Sequence, residues 1–446
     1  MTRESSENER LFEHLSDLVQ LCMLPDLKED LDCVQLQPSH FDSHHNVLNQ
    51  ELPKLYDLVQ SFLHKDDKDS RHQELRAQLV LLLCELTASP TVYQFKLGPE
   101  SLIQNALELL ERVTTSCQGP VDAHIFKYYE EKLHKKSWKR HIGAVHGFAE
   151  YLQLRYAGDI KMSAQMLAFS LSVGLNVREC YDAVYKQLGA RIFSLMLKQS
   201  NPKDIQEMNV HSVIYDQVFK DAYNTTESVE ATTATWTCLY LCLDHYTDMD
   251  RFAWNQCDDM LDRLIHNVSI SSHVTNSICL LRFITKLGYY FTINRNEIDS
   301  LLAMDLTQPD KMLFCREACN SLNACTSFRW SKRILQMLVL ESDKLLQSVD
   351  ACTKLLNEML RCYLVCILPI PLQALHHHLP EFYTKFVAIL LECLVVHERN
   401  ISVAQPVLQF IEILQFQLDS SASQKLPTDL QEYTNALQSL KLLMAQ

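Results

Sequence analysis

Eight glycines in 446 residues, none of them beyond Gly288, constrain this chain more than any motif it carries. Glycine is what tight turns, strand-rich folds and phosphate-binding loops consume, because it alone enters left-handed backbone conformations without steric cost. A chain so poor in it is expected to be helical throughout. Its prolines agree: Pro99, Pro120, Pro309, Pro380 and Pro427 each stand just before an apolar-periodic run, where a fixed φ suits the first turn of a helix.

The periodicity is cleanest between Cys257 and Val268, where Cys257, Met260, Leu261, Leu264, Ile265 and Val268 trace one stripe and Asp258, Asp259, Asp262, Arg263 and Asn267 occupy the opposite face. That pattern is a one-sided helix packed on neighbours. Ser70 to Leu86 repeats it through Leu75, Leu79, Leu82, Leu83 and Leu86, opens with a possible capping box from Ser70 to Gln73, and stops at the Thr87–Pro90 loop. Similar runs occur near 5–23, 99–113, 138–157, 177–198, 310–326, 332–345, 352–367, 379–397 and 428–444, and no segment alternates convincingly as a strand.

Single hydrophobic cores stop growing near ~250–300 residues, and no Ser/Gly/Pro-rich linker divides this longer chain. Helical pairs instead recur at roughly 40–47 residues, the HEAT period. The expected fold is all-α, a right-handed α-solenoid of degenerate HEAT-like helical pairs. Residues 1–120 are expected to form a divergent N-terminal helical region and 121–446 a solenoid continuing to the C-terminus.

A formal net charge of −14 argues against whole-protein attraction to nucleic acid. The local exception is the basic stretch Lys127, Lys132, Lys135, Lys136, Lys139 and Arg140, with Trp138 among them. It reads as a solvated helix face and loop or as a site for an acidic partner, which makes Lys136, Trp138, Lys139 and Arg140 candidate contact residues. Residues Met1 to Arg10 are polar and acidic, with no apolar signal core, so the sixteen cysteines are expected in a reducing compartment. The sequons at Asn224, Asn267 and Asn400 are then chance matches, and no apolar run is long enough to span a bilayer. A soluble protein of the cytoplasm is expected, with the nucleus also open to it.

Three cysteine pairs at i, i+4 raise the question of a metal: Cys238/Cys242, Cys315/Cys319 and Cys362/Cys366, with Cys325 after the second. Each lies in an apolar helical run, where a reduced cysteine behaves as a small hydrophobe, and structural zinc usually draws its ligands from short loops. His376, His377 and His378 would fan over different helix faces, and a turn before Pro380 is the expected role. Gly143 and Gly147 match no phosphate-loop pattern; their spacing favours close helix packing. No nucleophile elbow, zinc motif or dinucleotide fingerprint is present, so the expected protein is non-enzymatic, with no catalytic residues, metal or cofactor.

What remains is surface for other proteins. The strongest cluster is Phe328-Arg329-Trp330-Ser331-Lys332-Arg333, expected in a loop between a helix ending near Thr326 and another beginning near Ile334. Phe328, Arg329, Trp330 and Arg333 are candidate partner anchors, since aromatic and arginine side chains bury much area at low entropic cost. The alternative is a tryptophan folded over the ends of its own helices.

The ordered segments Trp138-Lys-Arg-His-Ile-Gly-Ala-Val-His146, Gly189-Ala-Arg-Ile-Phe-Ser-Leu-Met-Leu197, Cys257-Asp-Asp-Met-Leu261, Leu280-Leu-Arg282 and Phe328-Arg-Trp330 resemble the Tti-two family, the smallest subunit of the triple-T (TTT) complex. The likeness covers residues 138–345. Where the family reads Thr-Trp-Pro-Arg, Trp330 is followed here by Ser331 and the basic residues are displaced. The resemblance implies an α-solenoid that binds a larger Tti-one-like solenoid and, with a Tel-two-like subunit, acts as a co-chaperone. It also implies indirect work with the ninety-kilodalton heat-shock chaperone and RuvB-like ATPases in maturing phosphatidylinositol-3-kinase-related kinases. A HEAT-repeat scaffold or transport adaptor for another complex stays open. Armadillo-type importers fit less well, because none of Trp138, Trp236, Trp254 and Trp330 has an Asn four residues on.

Overall fold

A computed structural model describes residues 3–27, 36–63, 70–88, 100–114, 120–135, 137–223, 228–247, 249–250, 253–289, 325–346, 349–367, 378–395, 407–408, 410–414 and 435. Among these residues there is no strand, only an isolated bridge between Met162 and Ser200. The helices are α1 (Arg3–Cys22), α2 (Asp42–Leu63), α3 (Ser70–Thr87), α4 (Glu100–Thr114), α5 (Pro120–Lys132), α6 (Ile142–Arg155), α7 (Ala164–Arg178) and α8 (Ala183–Gln199). They continue as α9 (Pro202–Glu207), α10 (Val210–Asp221), α11 (Val229–Leu243), α12 (Gln256–Ile270), α13 (Val274–Tyr289), α14 (Cys325–Ser342), α15 (Val349–Cys366) and α16 (Leu379–Val395). Short 3-10 turns lie at Pro38–Phe41, Trp138–Arg140 and Asp343–Leu346.

The chain forms two compact units, one of Met1–Phe219 with Thr237–His245, the other of Lys220–Trp236 with Tyr246–Gln446. Within each, the architecture is the expected all-α one of HEAT-like helical pairs, the α-solenoid class. In the first unit α1 packs on α2, α3 on α4 and α6, and α7 on α8; in the second α12 packs on α13 and α14, and α13 on α15. The connection from α7 to α8 is only Glu179–Asp182, which forces the pair antiparallel.

Periodicity located most of these elements but blurred some boundaries. The run at 177–198 is two helices: α7 ends at Arg178, and Asp182 caps α8 by accepting from Val184 N at 2.9 Å. The runs at 352–367 and 379–397 are α15 and α16, whereas most of 310–326 and nearly all of 428–444 lie outside the described residues. α3 is buried far beyond the single stripe its leucines suggested, because α1, α4, α5 and α6 all pack on it. α11 loses its stripe in its second half: beyond the more accessible edge of Glu230, Thr233, Ala234 and Thr237, Cys238 through Leu243 are continuously buried, so the 3.6-residue period is invisible there in sequence. The one non-glycine residue with positive φ among those described is Asn209, at 53°, a conformation asparagine tolerates better than most side chains.

Glycine is spent on helix contacts. A Cβ on Gly189 would lie 3.1 Å from the Gly174 carbonyl oxygen, and one on Gly174 would run into the Phe193 ring, so α7 and α8 meet backbone to backbone. Gly143 and Gly147 do the same between α6 and α3, as their spacing predicted: a Cβ would come within 2.9 Å of Glu85 Oε2 and 3.2 Å of the Glu85 amide nitrogen, respectively. Glu85 is thereby buried, and its Oε2 accepts from Leu24 N at 3.2 Å. The segment after α1 is also held by Leu27 N donating to the Arg140 carbonyl at 2.9 Å and by Asp26 against His141 at 2.7 Å.

Burial pushes the Glu85 carboxyl from 4.5 up to about 8, against the Leu24 hydrogen bond and the field of Lys132, which pull it down. The folded chain therefore holds this proton more tightly than the unfolded chain does. Its stabilising contribution is complete below about pH 4.5 and is lost as the pH rises to about 8, at a slope of at most about 1.4 kcal/mol per pH unit. Glu85→Gln, which cannot ionise, is expected to melt progressively higher relative to the wild type as the pH is raised across that window. Parallel thermal melts whose difference stays constant from acid to alkaline pH would show that Glu85 does not titrate there.

Candidate functional site

The site that the sequence singled out grows from the start of α12. Asn255 caps this helix, its side chain accepting from Cys257 N at 2.9 Å, while Asp258 reaches back to accept from Asn255 N at 3.0 Å. This reciprocal capping box satisfies two end amides that would otherwise lack partners. It also fixes the Asp258 carboxylate, which is fully buried, at the positive end of the helix dipole.

α14 supplies the remaining donors. Arg329 Nε and Nη2 reach the two Asp258 oxygens at 3.1 and 2.6 Å, and Trp330 Nε1 donates to Oδ1 at 2.8 Å. A third Arg329 bond, 3.2 Å to the Ala253 carbonyl, ties in the residues before α12. One turn further along, Arg333 pairs with Asp262 and lies 4.8 Å from the Trp330 ring centroid. Two acids spaced i, i+4 on α12 thus face two arginines spaced i, i+4 on α14, a two-rung ladder that requires both segments to be helical. Charge-assisted, bidentate bonds of this type are about twice as strong as neutral ones, which offsets the cost of burying Asp258.

This corrects the expectation of a loop at Phe328–Arg333. α14 runs unbroken from Cys325, and Trp330 is the first member of a stripe continued by Ile334, Met337 and Leu338. Trp330 is 3 % exposed, so the geometry gives the alternative reading, a tryptophan packed on its own helices. Phe328 lies in the first turn of α14. The exposed aromatic is Trp254, at 61 %, its ring 5.5 Å from that of Trp330 and its Nε1 bonded to Asp259 at 2.8 Å. Asp258, Asp262 and Trp254 were not picked out as site residues, although the shared i, i+4 spacing of acids and arginines was present in the sequence.

The basic stretch is mostly paired within the chain. Lys132 lies 3.6 Å from Asp26 and Lys135 lies 3.6 Å from Glu179. Trp138 is buried against Tyr185, with Lys139 Nζ 5.9 Å from its ring centroid. Arg140 is exposed, and Lys136 lies outside the described residues.

The cysteines that are described sit in cores. Cys238, Cys242, Cys362 and Cys366 are buried, and burial raises the Cys242 thiol well above its ordinary value. Cys315, Cys319, His376 and His377 fall outside the described residues, and Cys325 opens α14. Among the described residues no three His, Cys, Asp or Glu side chains are grouped to hold a metal, and no helix is long and apolar enough to cross a membrane. The Asn267 sequon is buried, its amide donating to the Ala222 carbonyl at 2.7 Å; Asn224 and Asn400 lie outside the described residues.

No protein-family model and no curated protein sequence matches the chain. Among solved structures it is similar to Kap121p bound to RanGTP, with a TM-score of 0.47 and 11 % identity over 90 % of this chain and 34 % of that one. Kap121p bound to Pho4p gives 0.47 and 11 % over 91 % and 36 %. Importin beta gives 0.37 and 11 % over 90 % and 58 %. The chain spans about a third of the length of the Kap121p chains it matches.

The ladder predicts an asymmetry between the two tryptophans. Trp330→Ala and Asp258→Asn are each expected to destabilise by about 3–5 kcal/mol, the first by opening a cavity and the second by leaving Arg329 under-neutralised. Trp254→Ala is expected to cost less than about 1 kcal/mol. Thermal denaturation of the three variants checks this, and equal losses at both tryptophans would contradict the burial pattern.

Proposed function

We propose that this chain is a non-catalytic, protein-binding scaffold built of HEAT-like helical pairs and that, within this class, it serves as a Tti-two-like subunit of the triple-T co-chaperone complex. One observation carries the reading. Cys257–Leu261 and Phe328–Trp330, two of the segments in which the chain resembles that family, meet across 71 residues of sequence on the Asp258 carboxylate. The helices that carry parts of two others, α6 and α8, also pack on each other, and at their edges Glu150 is 2.8 Å from Arg191 and Trp138 lies against Tyr185. The resemblance thus falls on residues that hold helices to one another, as expected for likeness in a shared scaffold rather than in surface composition.

The chemistry of the site agrees with a scaffold. Asp258 is saturated by four donors, from Asn255, Arg329 and Trp330, and has no lone pair facing solvent for a substrate. A reactive base or nucleophile needs the opposite arrangement, a group left partly unsatisfied in a cleft. The proposed direct partners are a larger Tti-one-like solenoid and a Tel-two-like subunit. The heat-shock chaperone, RuvB-like ATPases and the large kinases are engaged indirectly, in the cytoplasm and the nucleus, without nucleic acid or membrane.

Affinity purification of the tagged full chain with identification of bound proteins tests the partner assignment directly. A Tti-one-like solenoid at stoichiometric level is the expected result, whereas recovery of transport cargo or a different complex in its place would favour the adaptor reading. Subunits of such assemblies depend on each other for abundance. Removing this protein is therefore expected to lower the levels of its Tti-one-like partner and of the large kinases with their messenger RNAs unchanged. Undiminished kinase levels in null cells would defeat the co-chaperone assignment.

A further inference from the structure

In the first compact unit a cavity of about 880 Å³ lies among the end of α1, the start of α2 and side chains of α3 and α5. Its wall is largely apolar, with Leu24, Leu36, Phe41, Val47 and Leu81 contributing, and its volume falls in the range of about 300–1,000 Å³ typical of small-molecule sites. A water molecule occupies only about 30 Å³ of liquid and needs two to four polar partners. The cavity opens to solvent, so a ligand entering it displaces water from an apolar wall.

The polar part of the wall is not distributed at random. Ser43 and His44 come from the first turn of α2, a 22-residue helix whose N-terminal end carries the positive pole of its dipole. Tyr128 and Lys132 come from α5. His44 is the informative member. It is 8 % exposed, yet among the described residues it makes no hydrogen bond, and it lines the cavity. Burial and the neighbouring His45 push its imidazole down to about 4, so at neutral pH the ring is uncharged and presents one N–H donor and one acceptor nitrogen. Neither ring nitrogen is among the buried side-chain atoms left without a partner, so the ring presents its polar atoms to the open space of the cavity.

The donors in the wall include the Ser43 hydroxyl, the His44 N–H, the Tyr128 hydroxyl and the Lys132 ammonium, with His40 and the amides of Gln20 and Gln78 also lining it; the acid in the wall is Asp26, 3.6 Å from Lys132, and Asp42 stands beside it in the first turn of α2. Donors at a helix N-terminus select an oxygen acceptor, preferentially an anionic one. We propose that this cavity binds a small amphiphile with a carboxylate head and an aliphatic chain, the head at Ser43 and His44 and the chain along Leu24, Leu36, Phe41 and Leu81. It is a ligand site separate from the Asp258 ladder and independent of the partner assignment.

Decanoate and its neutral counterpart decanol, titrated below micelle-forming concentration into the purified full chain in a calorimeter, test it. Saturable binding of decanoate near one per chain and at least about tenfold tighter than decanol is expected, since only the carboxylate engages the charge-sensitive donors. His44→Phe, which keeps the ring but removes both nitrogens, is expected to abolish the preference for decanoate. Leu21→Trp acts at the exposed rim, where Leu21 is 56 % accessible, so it should spare the core while blocking both ligands. It also serves as the decisive variant if His44→Phe proves unfolded by circular dichroism. No saturable binding of decanoate overturns the proposal, as does equal affinity for decanol or binding that a folded Leu21→Trp leaves unchanged.

Discussion

Aliphatic side chains bury area without fixing position, so a fold made only of helices depends on contacts that fail when a helix slides or rotates. In the second unit that contact is Asp258. A shift of α14 by one residue along α12 would leave a fully buried carboxylate without Arg329 or the Trp330 indole N–H, and either loss costs far more than the apolar contacts it would exchange. In the first unit the same role falls to contacts that are sterically unforgiving. Gly174 and Gly189 let α7 and α8 meet at backbone distance, and the groove of Gly143 and Gly147 receives Glu85, so any other register would put a side chain where none fits. Apolar area supplies the stability of the pairs; these few contacts make each pairing unique.

That division explains what could be read from sequence. Helices with one face on a core and one in water announced themselves: the stripe from Cys257 to Val268 is α12, within two residues at either end. Helices buried on several sides did not. The second half of α11, Cys238 to Leu243, is apolar and buried all round, and α3 was recognised as a helix although the extent of its burial was hidden by the same leucines that revealed it. The misplaced loop at Phe328–Arg333 has a related cause. Its charged residues look like a surface segment when read alone, and only the partners Asp258 and Asp262 on α12 make Arg329 and Arg333 suitable for a helix face turned toward another helix. Such partners lie 71 residues away in sequence, and a single sequence carries the spacing on each helix but nothing that says which two helices meet.

The two tryptophans of the site divide what sequence had assigned to one. Trp330 combines a large apolar surface with one donor, and the fold uses both internally: the ring is covered by Arg333 and the N–H is taken by Asp258. Trp254 stands at the edge of the same cluster, with its N–H satisfied by the half-buried Asp259 and most of its ring open to solvent. A side chain that is hydrogen-bonded, rigidified by a neighbouring ring and still exposed loses little entropy on being covered. Trp330 thus holds up the surface from which Trp254 projects.

The scarcity of glycine acquires a second meaning in this light. Five of the six described glycines lie inside helices, where an added Cβ would press on a neighbouring element; only Gly158 has open space around it. Among the described residues, glycine therefore serves chiefly as an absent side chain and hardly at all as a flexible backbone. Its turns rely on other means: Ser163, Asp182, Asn201 and Asn255 accept the first amides of α7, α8, α9 and α12, and Asn209 takes the left-handed conformation. Side-chain caps of this kind fix where a helix begins, whereas glycine-rich turns leave the start free to vary. A stack of helical pairs needs the first property, because an error in one starting point would rotate the next helix off its contact and be passed along the array.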